Sequence, residues 1–235
     1  MLKRKLIAAL LMSCAALANA ADLKPFSAIY ETSYGFLSAR GERKLEALPN
    51  NQWKVQSNAH VMNFDINENA TFTFQNAHVK AANYNFDNPF SKNKSQALTF
   101  DWSNNSVTNA VNQAVVPLTP NAYDKLSYQL QLQLNVCASL DKYAGDNFDL
   151  VDRNRLKTYR VELIGKDTLK TEVGTLNTIH LRQFRPDKQD GKPTEIWLAA
   201  DWSCLIVRID QYDKDDLYTL KLVKATVGDK AVTGK

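Results

Sequence analysis

Apolar and polar residues alternate along most of the chain, the period of strands with one buried face. Phe26 to Thr32 and Leu37 to Leu45 flank Tyr34-Gly35, which suits a hairpin turn. Trp53, Val55, Ser57 and Ala59 alternate with polar neighbours, and so do Ala70, Phe72 and Phe74. Further strands are expected near Ala81 to Phe86, Gln96 to Trp102 and Val107 to Val116. Asp87-Asn88-Pro89 and Ser103-Asn104-Asn105 punctuate them, since these residues accept turn conformations at low cost. After a break the alternation resumes: Leu156 to Ile164, then Gly165-Lys166-Asp167 as a turn into Thr168 to Val173, then Thr175 to Phe184. Thr194 to Ala199, Leu205 to Tyr212 and Leu217 to Val227 complete an antiparallel meander, and the polar tail from Gly228 to Lys235 is expected to fray. The pattern predicts a mainly β fold.

One segment departs from this rhythm, residues 121–140. Pro120 suits a first helical turn, and Thr119 or Asn121 offers a cap. Tyr123, Leu126, Leu130, Leu134 and Cys137 then share one helical face. A strand competes, because Leu126, Tyr128, Leu130, Leu132, Leu134 and Val136 also alternate. The Leu and Gln content, with Val136 the sole β-branched residue of the run, favours a helix. Apolar groups on more than one side place that helix inside the fold.

The amino-terminus changes the picture of where the protein works. Lys3, Arg4 and Lys5 precede an apolar run from Leu6 to Leu17, and Ala18-Asn19-Ala20 supplies small residues for cleavage after Ala20. The run is shorter than the roughly 20 residues that span a bilayer, so the segment reads as a signal peptide and not an anchor. Leu11-Met12-Ser13-Cys14 is an alternative, lipoprotein-type signal. The remaining domain, residues 21–235, is of single-domain size, with a periplasmic location and no transmembrane segment after processing. Losing Lys3, Arg4 and Lys5 takes the formal charge from +4 to +1. Basic and acidic residues are interleaved throughout, which excludes a nucleic-acid footprint. Cys137 and Cys204 survive processing, and an oxidising compartment favours joining them. The alternative is two separate apolar thiols.

Candidate chemistry is sparse. There is no Gly-x-Ser-x-Gly, no phosphate-binding glycine loop and no dinucleotide fingerprint. His60, His78 and His180 lack metal-ligand spacing, and Asp210, Asp213, Asp215 and Asp216 beside Lys214 match no EF-hand template. Glu195 and Asp201 flank Trp197 and are either a site pair or the polar markers of one strand. No catalytic residue, metal or cofactor is assigned. The 10 Phe, 9 Tyr and 4 Trp are the stronger signal, because alternating aromatics either line the concave face of a curled sheet or fill its core. Trp102, Trp197, Trp202 and Tyr123 are the candidates for contact with a ligand.

The order of motifs is itself informative. Tyr30 to Gly41, then Ala122-Tyr123-Asp124-Lys125-Leu126-Ser127-Tyr128-Gln129, then Gly174-Thr175-Leu176-Asn177-Thr178-Ile179, Glu195-Ile196-Trp197-Leu198-Ala199-Ala200-Asp201-Trp202 and Val207-Arg208-Ile209 follow in sequence. Together they resemble the DUF3108 family of exported bacterial β-rich proteins, with Ile206 a departure where the pattern has proline. The resemblance implies a half-barrel sheet around a helix, similar to envelope lipoprotein carriers. The resulting expectation is a periplasmic, non-enzymatic protein binding an apolar ligand, a lipid or a lipidated envelope protein. The alternatives are an interaction protein with a filled core and, more weakly, a hydrolase.

Overall fold

The computed structural model describes residues 23–34, 37–188, 191–213 and 215–235. The expected signal peptide with its cleavage site, the Cys14 alternative, Gly35 and Lys214 lie outside them.

Two limbs of mostly antiparallel strands meet in one sheet. The first runs β1 (Phe26–Tyr34), β2 (Leu37–Ala47), β3 (Gln52–Val61), β4 (Phe64–Gln75), β5 (His78–Asp87), β6 (Gln96–Asp101), β7 (Ser106–Asn109) and β8 (Ala114–Pro117), each paired with the one before. The second runs β9 (Ala122–Tyr123), β10 (Asp146–Asp152), β11 (Arg155–Thr171), β12 (Gly174–Phe184), β13 (Thr194–Ala199), β14 (Leu205–Asp213) and β15 (Asp216–Val227). Pairing of β15 with β1 joins the limbs, and β16 (Lys230–Ala231) folds back onto β15. The fold is therefore mainly β, one open sheet with, among the described residues, a single α-helix.

The sheet's two edges, β8 and β9, are neighbours in the chain, separated only by residues 118–121. Their limbs approach without forming a ladder. Gln96 Oε1 accepts the Arg153 N–H at 2.8 Å, and Asn109 Nδ2 donates to the Arg153 carbonyl at 3.1 Å. Two side chains thus satisfy both sides of one turn residue of the opposite limb, where a closed barrel would use backbone pairing.

Several local expectations are revised. Val107 to Val116 is two short strands, because Asn109 and Asn112 side chains accept the N–H groups of Val111 and Ala114 and stabilise a turn between them. Gly165-Lys166-Asp167 is regularly paired strand inside the 17-residue β11, not a turn, and the ladder's register shifts just before it, between Leu163 and Gly165. The tail is not frayed. Val232 is buried, Gly234 N–H donates to Val173 O at 2.6 Å, and Lys235 N–H donates to Thr175 O at 3.0 Å.

Helix α1 (Ser127–Ser139) starts later than the composition suggested. Ala122 and Tyr123 pair with Asp149 and Leu150, respectively, as a short parallel strand, and Asp124 then caps the helix. Its Oδ1 accepts the N–H groups of Leu126 and Ser127 at 2.8 and 2.9 Å, and its Oδ2 accepts the Ser127 hydroxyl at 2.7 Å. Tyr128, Leu130, Leu132, Leu134 and Val136 are all buried, so the helix presents apolar groups all round, as an embedded helix must. Gln131 ties it to the sheet: its Oε1 accepts the Val79 N–H at 2.7 Å and its Nε2 donates to Ala77 O at 3.1 Å. Gln131→Leu leaves the buried Val79 amide unpaired and is expected to cost about 1–3 kcal/mol in chemical denaturation. A loss below the error of that measurement would mean the amide finds another partner. At the other end Cys137 is bonded to Cys204 in the β13–β14 turn, with 5.8 Å between their Cα atoms.

Candidate functional site

The helix fills only part of the concavity. Beyond it, β1 to β5 and β15 enclose a cavity of about 550 Å³, open at one side. Its cause can be read from inward positions of β2 and β3. Where the core is filled, these positions carry Leu45 and Val55, each 1% exposed. Further along they carry Gly41 and Ala39 on β2, and Ser57 and Ala59 on β3. Gly41 pairs directly with Ala59, and a Cβ on Gly41 would lie 2.8 Å from Asn58 O, so this position is held to glycine by close approach of the next strand. Small side chains on adjacent strands leave space that no other element occupies.

The cavity has an apolar mouth and a polar floor. Met62, on the β3–β4 turn, and Phe90, after β5, both line it and are 68% and 53% exposed. Phe90 packs edge-on against Phe64, itself 44% exposed, with ring centroids 5.0 Å apart. Exposed large apolar groups clustered at a cavity entrance mark a contact surface more than scattered ones do.

At the floor, Arg43, Ser57 and Glu68 form one row across β2, β3 and β4, in direct register. Arg43 is 8% exposed. Its Nη1 donates to Gln129 Oε1 at 2.6 Å, its guanidinium lies 5.9 Å from the centre of the Tyr30 ring, and its Nε has no partner. Glu68 is engaged elsewhere, accepting the Tyr84 hydroxyl at 2.6 Å. Tyr30 donates to Ile206 O at 2.9 Å, and burial pushes its phenol up to about 12, with Arg43 pulling the other way. The carbonyl of Ile206 therefore anchors the cavity wall. Burial likewise raises the Tyr218 phenol, so every tyrosine at the cavity is a neutral hydrogen-bonding group at physiological pH.

None of Trp102, Trp197, Trp202 and Tyr123 lines this cavity, and the structure does not bring them together. Trp102 donates its indole N–H to Ala81 O at 2.7 Å and stacks on Phe100. Trp202, in the β13–β14 turn, donates to Thr233 O at 3.2 Å. Tyr123 is buried against Phe148. Trp197 lies between the buried Ile196 and Leu198 and so points to the opposite, outer face, where it stacks on His180 at 4.3 Å with Arg208 at 5.1 Å. His180 Nε2 meets Glu195 at 2.8 Å there, and Arg182 completes the pairing of that carboxylate. Glu195 and Asp201 are thus not a pair: Asp201 accepts from Asn177 at 2.9 Å.

The remaining candidate chemistry is dispersed. His60 meets Asp65 on an exposed hairpin, while burial and Lys80 lower the affinity of His78 for a proton. Asp210 pairs with Arg208 and Asp215 with Lys192. Among the described residues no three His, Cys, Asp or Glu side chains gather to hold a metal. Asp124 and Ser127, a carboxylate beside a hydroxyl, are both fully buried and spend their hydrogen bonds on the helix start.

Among the described residues no helix is long and apolar enough to cross a membrane. The fold matches a β-barrel-like protein of domain DUF1849 from Brucella abortus, with a TM-score of 0.57, 11% identity, and coverage of 88% of this chain and 99% of that one. A candidate lipoprotein of Parabacteroides distasonis aligns at a TM-score of 0.31 and 13% identity over 87% of this chain and 96% of its own. A candidate exported protein with a YmcC-like fold from Bacteroides fragilis aligns at 0.33 and 13%, over 87% and 97%. Among curated proteins none matches the sequence. The family model described as a protein of unknown function, DUF3108, matches residues 29–223, and the chain belongs to that family.

Proposed function

We propose that this chain is an exported, non-enzymatic binding protein that takes an apolar chain in the cavity between β1–β5 and β15, either as a free lipid or as the acyl group of a lipid-modified envelope partner. The observation that carries this reading is the cavity with its exposed Met62 and Phe90 mouth. Its 550 Å³ falls within the roughly 300–1,000 Å³ range of small-molecule sites. Methionine and aromatic side chains at an entrance adapt to an alkyl chain without demanding one shape. The signal-peptide pattern of Lys3 to Ala20 supports the periplasm as the place of work. A protein-interaction role would draw on the open edge β8, whose Val115 is 65% exposed. That strand is only four residues long and ends in Pro117, a design that blunts edge pairing.

Native mass spectrometry of protein from the periplasm, followed by organic extraction, tests the reading. A stoichiometric lipid or acyl species is expected, or its uptake when envelope lipids are added. Ala59→Phe places a ring over Gly41 and is expected to reduce that binding roughly tenfold or more with the fold retained, as a blocked pocket does. A clean apo mass that envelope lipids leave unchanged would sink the proposal.

A further inference from the structure

The cavity reading says nothing about the end of the ligand, and the floor of the cavity does. Arg43 places a guanidinium, a planar cation with five donors and no acceptor, at that floor. It is more than nine-tenths buried. Yet among the described residues the one hydrogen bond it donates goes to the neutral amide of Gln129, and its Nε is left without a partner. No ion pair includes it among the described residues. A buried cation of this kind is costly unless an anion or a full set of acceptors compensates it. Its nearest in-register carboxylate is that of Glu68, two strands away. Two strand spacings are about 9–10 Å, and Glu68 is already accepting from Tyr84. The other charged groups facing the cavity are Glu42, which accepts from Ser27, and Lys94. The hydroxyl of Ser57 stands beside Arg43 in the row and adds a donor.

We propose that the cavity binds a single-chain amphiphile with its anionic head, a carboxylate or a phosphate, on Arg43 and its alkyl chain running past Ala59 toward Met62 and Phe90. This rests on the cavity being a binding site and adds the class of ligand. The planar fork of arginine matches both head groups, since each offers two oxygens side by side. The arrangement puts the head inside and the chain toward the mouth, the reverse of a protein that merely shields a lipid tail.

The test compares delipidated protein with four probes of matched chain length. They are hexadecanoate, a hexadecyl phosphate, hexadecanol and a hexadecyltrimethylammonium salt, with binding measured by calorimetry. Both anions are expected to bind, and to lose roughly 10- to 100-fold in affinity in Arg43→Met, the usual range for a charge-assisted contact. Arg43→Lys keeps the charge but not the fork and is expected to fall between the two. The order of the carboxylate and phosphate probes separates a fatty acid from a phosphate-bearing lipid as the natural source. Without ligand, Arg43→Met is expected to melt no lower than the parent, because it removes a buried charge that has no counter-ion. If hexadecanol or the cationic probe binds as tightly as the anions, or Arg43→Met leaves anion affinity unchanged, the role of Arg43 is overturned while the cavity stands. If none of the four binds, the cavity reading falls as well.

Discussion

Replacing Cys137 and Cys204 together by alanine is expected to lower the stability of the domain by on the order of 4 kcal/mol. The bridge closes a loop with a sequence separation of 67, and the chain-entropy model assigns that cost to a loop of such length. The residues between include β10, β11, β12 and β13, so the bridge spans most of the second limb. Without it α1 would rest on its Asp124 cap, the hydrogen bonds of Tyr128, Gln129, Gln131 and Asn135 to the sheet, and its apolar packing. Cys204 is fully buried, and alanine adds no new polar group there, so the measured loss reports the cross-link and a small cavity. Urea denaturation of the parent, the double variant and the reduced parent checks this. The reduced parent and the double variant should agree within about 1 kcal/mol, since both lack the same constraint. A loss under about 1 kcal/mol in both would show that helix packing alone fixes the second limb.

How much of this was legible beforehand differs between framework and site. Strands such as β3, β4, β12 and β15 follow directly from alternation, whereas an expected oxidising compartment and the cysteine count only favoured the Cys137–Cys204 bond over two separate thiols. Strand β10 was missed. Its Phe148, Leu150 and Val151 do not alternate cleanly, because both faces of that strand find cover, and two-sided burial erases a period-two signal. The helix start was placed too early because a proline and two possible caps at positions 119–121 outweighed Asp124, whose role depends on a hydrogen-bond geometry that composition does not carry. The site was legible least. Aromatics drew attention to Trp102, Trp197, Trp202 and Tyr123, whereas the cavity exists through what Gly41, Ser57 and Ala59 lack. That signal appears only once β2 and β3 are set in register, and a slip of one residue would turn those positions to the other face. Arg43 was equally hidden: an arginine in an alternating strand reads as solvent-facing until its neighbours are known.

Substitution of Asp124 by asparagine is expected to leave stability little changed near pH 4 and to raise it near pH 7. Burial is the main reason that this carboxyl is pushed up from 3.8 to about 6, against the downward pull of the N–H and hydroxyl groups of Ser127 and the N–H of Leu126. The proton is therefore held more tightly in the folded chain than in the unfolded one. Between pH 4 and 6 the unfolded chain has released it and the folded chain has not, so stability falls as pH rises and levels off above the folded value. At about 1.4 kcal/mol for each pH unit between the two values, the total is on the order of 3 kcal/mol. Asparagine cannot ionise, yet its carbonyl oxygen still accepts from Leu126 and Ser127, and its amide can donate to the Ser127 hydroxyl, so the cap survives. The difference between variant and parent, followed by denaturation across pH 4 to 7.5, should grow in favour of asparagine and cancel the contributions of every other carboxylate. A difference that stays flat, or grows with falling pH, would show that the folded chain keeps Asp124 ionised throughout. The cap would then owe its strength to the charge that burial works against.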